Sequence, residues 1–125
     1  MFGGTHDDGT VFKITPGGAL TTLYSFCSQG GCTDGEWPKA GLVQATNGDI
    51  YGTTYAGGAN NYGTVFKISP GGTLTTLYSF CSQGECTDGE YPEAALVQAT
   101  NGDLYGTTYA GGANNYGTVF KITAC

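Results

Sequence analysis

Two short loops carry most of the reactive groups in this sequence. Cys27-Ser-Gln-Gly-Gly-Cys32 recurs as Cys81-Ser-Gln-Gly-Glu-Cys86, and Thr-Asp-Gly-Glu follows each, at residues 33–36 and 87–90. Two cysteines at the ends of a Gly-containing loop can close an intraloop disulfide, which belongs to an oxidising compartment. Zinc would need all four thiols, two from each loop, because no His lies nearby. Free thiols are the third reading. The expectation carried forward is Cys27–Cys32 and Cys81–Cys86. A fifth cysteine, Cys125, has no partner in the pattern, since its phase equivalents are Gly17 and Gly71. An intermolecular bridge is the role open to it.

Asp34, Glu36, Asp88 and Glu90 offer hard oxygen ligands of the kind Ca²⁺ takes. The loops lack the dense acidic alternation of a dedicated calcium site, so a solvated turn is the favoured reading. Acid–base work by the same carboxylates would need an apolar cleft to separate their pKa values. Nothing in the sequence indicates one. His6 is the sole histidine, so no His-based triad or metal site can be assembled. Ser25, Ser28, Ser79 and Ser82 sit in no nucleophile elbow. The pairs Gly57-Gly58 and Gly111-Gly112 precede no helix, which argues against a phosphate loop. The expectation is therefore no catalytic residue, no enzyme activity and no cofactor, Ca²⁺ being the one candidate. Trp37, Tyr51, Tyr55 and Tyr62 recur as Tyr91, Tyr105, Tyr109 and Tyr116. They could form a glycan-binding face, but packing between sheets is favoured.

The elements that must position these groups repeat. Gly-Thr-Val-Phe-Lys-Ile occurs at residues 9–14, 63–68 and 117–122, at a constant spacing of 54 (63 − 9 and 117 − 63). A period near fifty marks a repeat architecture. Between positions 9–62 and 63–116 only Thr15, Ala19, Gly31, Trp37, Lys39, Gly41 and Ile50 are replaced, so both copies should adopt one conformation. The chain divides as one array: 9–62, 63–116, and the start of a third repeat at 117–125.

Each period predicts four antiparallel strands. In the first full unit they cover 41–46, 50–55, 63–69 and 74–80, with hairpin turns at Asn47-Gly48 and at the Pro-Gly-Gly of 70–72. Residues 27–39 read as a long polar loop. Four short strands per repeat is the blade of a β-propeller. The fold class is all-β, incomplete at both ends and completed between chains. Residues 9–26 supply only the third and fourth strands of a blade, and 95–123 only the first three.

Composition agrees. Gly numbers 23, aromatics are 13% and charged residues 11%, a turn-rich β profile. The net charge is −6 and all four cationic residues are Lys, which disfavours nucleic acid and anionic membrane as partners. No apolar run reaches membrane-spanning length. The first residues show no signal-peptide pattern. Export is expected to depend on something outside this chain, or the chain to be a mature or excised fragment.

Gly63-Thr-Val-Phe-Lys-Ile68, Leu77-Tyr78-Ser79-Phe80, Asp88-Gly89 and Gly102-Asp103-Leu104-Tyr105-Gly106-Thr107-Thr108 resemble the Gloeo/Verruco (GloVer) tandem repeat of bacterial surface proteins. The resemblance covers essentially the whole chain. It implies an exported, repetitive, propeller-like protein without established catalysis, located outside the cell or on its surface. The expected function is a non-enzymatic structural module that assembles head to tail with copies of itself, as a filament or ring, by strand complementation. Val11, Phe12, Ile14, Val119, Phe120 and Ile122 are the expected assembly residues. The alternative is a ligand-binding propeller fragment, taking glycan or Ca²⁺, or a hydrolytic one.

Overall fold

The computed structural model describes residues 9–27, 32–38, 42–82, 86–92, 96–112 and 116–123. No α-helix occurs among them. The strands are β1 (Thr10–Ile14), β2 (Leu20–Ser25), β3 (Val43–Gln44), β4 (Ile50–Thr54), β5 (Thr64–Ile68), β6 (Leu74–Ser79), β7 (Glu90–Pro92), β8 (Val97–Gln98), β9 (Leu104–Ala110) and β10 (Thr118–Ile122). They form three antiparallel sheets. The first is the hairpin β1-β2, and the second runs β3-β4-β5-β6. In the third, β9 pairs with β10 on one side and with both β7 and β8.

Turn chemistry sets these pairings. Gly18 adopts φ 95° and its N–H donates to Thr15 O at 2.9 Å, closing the first hairpin. Asn47 Oδ1 accepts from Asp49 N at 3.0 Å while Gly48 takes φ 92°, which turns β3 into β4. Registers repeat at the sequence period. Val11 faces Tyr24 as Val65 faces Tyr78, with an irregularity after each Val. Phe66 faces Gly52 as Phe120 faces Gly106. A Cβ on Gly52 would lie 2.8 Å from the Phe66 ring and 2.6 Å from Leu42, so only Gly lets that ring cross the neighbouring strand.

The three sheets stack by their faces, and the middle one is covered on both. Phe66 and Ile68 pack with Val11 and Phe26 of the first sheet. Val65, Tyr51, Ala45 and Phe80 pack with Leu96 and Leu104 of the third. Edge-to-face ring contacts tie each pair of sheets, Phe26 to Phe66 at 5.2 Å and Phe80 to Phe120 at 5.1 Å.

Identical residues at the two ends are wet. Phe12 and Ile14 are 54% and 58% exposed where their equivalents Phe66 and Ile68 are 0%. Val119 is 77% exposed where Val65 is 0%. Of the six residues expected to drive assembly, Val11, Phe120 and Ile122 pack inside the chain, and Phe12, Ile14 and Val119 lie on the outer faces.

Two sequence expectations need correction. The strand expected over 41–46 is confined to Val43–Gln44, with residue 41 outside the described residues, and its counterpart to Val97–Gln98. The polar loop also contributes to a sheet: Glu36 bridges Ala56, and Glu90–Pro92 pairs with β9. Short strands suffice there because backbone groups of the loop find their partners on the neighbouring hairpin.

The end-to-middle difference predicts unequal costs for one substitution. Phe66→Ala should destabilise by about 3–5 kcal/mol, the usual range for emptying a buried Phe site. Phe12→Ala, in the same motif but half exposed, should cost under about 1 kcal/mol. Urea denaturation checks both, and equal costs would contradict the packing described.

Candidate functional site

The disulfide loop links the last strand of one sheet to the first strand of the next. Cys27 is bonded to Cys32, and Cys81 to Cys86. Each loop holds three non-Gly residues in the left-handed region: Cys27, Cys32 and Trp37 at φ 63°, 56° and 58°, and Cys81, Cys86 and Tyr91 at 64°, 57° and 57°. That geometry costs of order 1 kcal/mol or more per residue, most for a bulky one. The short disulfide ring offsets it, contributing on the order of 2 kcal/mol.

Backbone bonds hold the loop on the next hairpin. Cys32 O accepts from Gly35 N at 2.9 Å and from Gly58 N at 2.8 Å. Glu36 and Ala56 exchange N–H···O bonds of 2.9 and 3.2 Å, and Tyr55 N donates to Trp37 O at 2.9 Å. Beneath lies a threonine latch, Thr54 Oγ1 to Thr64 Oγ1 at 2.8 Å, with both residues fully buried. The repeat has the same latch between Thr108 and Thr118, also 2.8 Å. Gly35 sits on it at φ 99°, and a Cβ there would come within 2.7 Å of Thr54 Oγ1. Gly89 stands likewise on Thr108 and Thr118, where an added Cβ would lie 2.8 Å from each Oγ1.

The acidic residues serve this geometry. Asp34 is 5% exposed, which corrects the expected solvated turn, and its Oδ2 accepts from Tyr24 Oη at 2.6 Å. Asp88 accepts from Tyr78 Oη at 2.5 Å and from Ser82 N and Oγ at 2.9 Å. Each Asp thus ties its loop to the strand that precedes it, with charge-assisted bonds. Glu36 and Glu90 lie at bridge and strand positions instead. Among the described residues the group close enough to share a metal is Cys27, Cys32 and Glu36, and it does not include Asp34. Its two sulfurs are bonded to each other, and a disulfide is not a thiolate donor. His6 and Cys125 lie outside the described residues.

A tyrosine seam joins the second sheet to the third. Tyr91, presented by its left-handed backbone, stacks on Tyr55 at 4.8 Å and tilts against Tyr62 at 5.4 Å. Its N–H donates to Tyr62 O at 2.8 Å. Pro92 lies against Gly63, where a Cβ would approach Pro92 Cδ to 2.6 Å. At the far end of the seam Thr46 N donates to Gln98 Oε1 at 3.2 Å. Burial, the Glu90 carboxylate and the neighbouring Tyr62 and Tyr55, in that order, raise the Tyr91 pKa above its ordinary value. In the third sheet the equivalent rings, Tyr109 and Tyr116, are 68% and 91% exposed. Sequence reading found the aromatic set but not this clasp. Its signal would have been an aromatic followed by Pro after each Asp-Gly-Glu.

The sequence model of the Gloeobacter/Verrucomicrobia repeat family matches residues 1–125, the whole chain. No curated protein matches it.

Two measurements check this site. Without reductant, alkylation and intact-mass analysis should label at most one thiol per chain, and four or five labels would exclude the disulfides. Because the Tyr91 pKa is raised on folding, its contribution is fully present below about pH 10 and is lost as pH rises through the folded value. Tyr91→Phe should therefore flatten the loss of stability above pH ~10. An unchanged alkaline profile would remove Tyr91 from the account.

Proposed function

The chain belongs to the Gloeobacter/Verrucomicrobia repeat family, and from that premise we propose that it is an exported, non-enzymatic structural module that associates head to tail with copies of itself. The observation that carries this reading is the contrast along one repeated motif. Where a sheet follows or precedes, as around β5, the motif's apolar residues are dry; at the two outer faces the same residues are 54–77% exposed (Phe12, Ile14, Val119). The two faces are complementary by construction. One is the kind that Val65 presents to the third sheet, the other the kind that Phe66 presents to the first. Apolar surface of this kind marks an interaction site. A contact between unlike faces is heterologous, giving a ring if the rotation closes and a filament if it does not.

Two disulfides per chain suit an oxidising, extracellular setting. The propeller reading of the repeat places successive sheets as blades around one axis. No function in catalysis is proposed: the carboxylates of the loop bind tyrosine hydroxyls of the same repeat, and no nucleophile–base pair accompanies them among the described residues.

Sedimentation velocity of the full chain at micromolar concentration tests the proposal. Assemblies that grow with concentration are expected, and a compact, folded monomer would overturn it. Val119→Lys and Leu20→Lys, each on an outer face, should leave folding intact and abolish growth, because a buried unpaired ammonium is costly at an interface.

A further inference from the structure

Between the second and third sheets lies a cleft, at a place that β6 covers one repeat earlier. It measures about 190 Å³ and is lined by Tyr78, Phe80, Asp88, Phe120, Lys121 and Ile122. Shifted back by one repeat, those positions are Tyr24, Phe26, Asp34, Phe66, Lys67 and Ile68. There Leu74 of β6 packs on the cluster that holds Phe26, Phe66 and Ile68, and β6 pairs along β5. The cleft therefore has the shape left beside β10 where a Leu-Thr-Thr-Leu-Tyr-Ser strand would lie. The chain contains that strand twice, as β2 and as β6, and in β2 Leu20 is 60% exposed.

Resting on the self-association proposed above, we propose that β10 is the acceptor edge for strand β2 of a second copy, which leaves its own β1 to bind there. The register is the one β6 has on β5. Ile122 then faces the second copy's Leu20, Phe120 its Thr22 and Val119 its Tyr24, as Ile68, Phe66 and Val65 face Leu74, Thr76 and Tyr78.

The exchange is balanced strand for strand. β1 and β10 have the same sequence, Thr-Val-Phe-Lys-Ile, so β10 replaces every pairing that β1 gave up. What the exchange adds is a fifth strand on the third sheet, leaving no edge at β10, a filled cleft, and cover for the third sheet's outer face. It also selects which copy of the motif stays. Residues 109–116 carry Tyr at both ends, whereas the segment in the same phase, residues 1–8, carries Met1 and Asp8. Only the former can rebuild the tyrosine seam across the junction. Trp37 of the second copy has the backbone conformation of Tyr91, φ 58° against 57°, and takes its place on Tyr109 and Tyr116.

Cross-linking reads the register directly. In a Cys125→Ser background, Leu20→Cys protein is mixed with Ile122→Cys protein, and in parallel Phe12→Cys with Val119→Cys. Strand donation predicts a disulfide between positions 20 and 122 and none between 12 and 119. A bond between 12 and 119 alone would mean that intact outer faces meet, so self-association stands and donation fails. Assemblies without the bond between 20 and 122 would likewise overturn donation. Monomers by sedimentation, with no cross-link, would overturn self-association as well. A second variant separates donation from ordinary packing. Val11→Ser weakens β1 without touching β10, so donation predicts severalfold faster assembly, whereas a face-packing role for β1 predicts slower assembly.

Discussion

The motif Thr-Val-Phe-Lys-Ile has no polar face, and the rest of the structure follows from that constraint. In β5 every residue of the motif except Lys67 is buried, because sheets cover it from both sides and strands from both edges. An ordinary antiparallel strand shows one wet face and alternates accordingly. This one needs a neighbour on each face, so repeats must stack, and the first and last copies are left with an apolar face in water. The self-association proposed above is the same packing rule applied across the chain boundary.

The stacking has a direction because the described part of the loop between sheets is pinned to the hairpin that follows it. The disulfide, the buried threonine pair and the Asp–Tyr bond act together on about ten residues, holding three strained left-handed positions in each repeat. The strain has an output. It turns Tyr91 out of the path of its own strand and lays it on Tyr55 and Tyr62 of the preceding sheet. The acidic loop, which by composition looks like a place for an ion, is a fastener between sheets.

Much of this was legible in the sequence. Period-two alternation and Asn-Gly or Pro-Gly-Gly turns place β1, β2, β4, β5, β6 and β10, and the fixed spacing predicts their shared register. The edge that the polar loop supplies was not legible. Glu36 and Glu90–Pro92 lie in a polar, Pro-containing stretch with no alternation, and they pair only because Gly35 and Gly89 dock on the threonine latch. The burial of Asp34 was hidden for a related reason: its partner Tyr24 is ten residues earlier on another element. Left-handed Trp37 and Tyr91 break the local preference of their residue type, as positions set by tertiary context do.

Amide hydrogen exchange of the full chain as a function of concentration tests the central claim most directly. At dilution, the amides of β10 should exchange much faster than those of β5, although the two strands have one sequence. On raising the concentration, protection at β10 should climb toward that of β5 while β5 itself stays unchanged. Protection at β10 that does not depend on concentration would contradict the account.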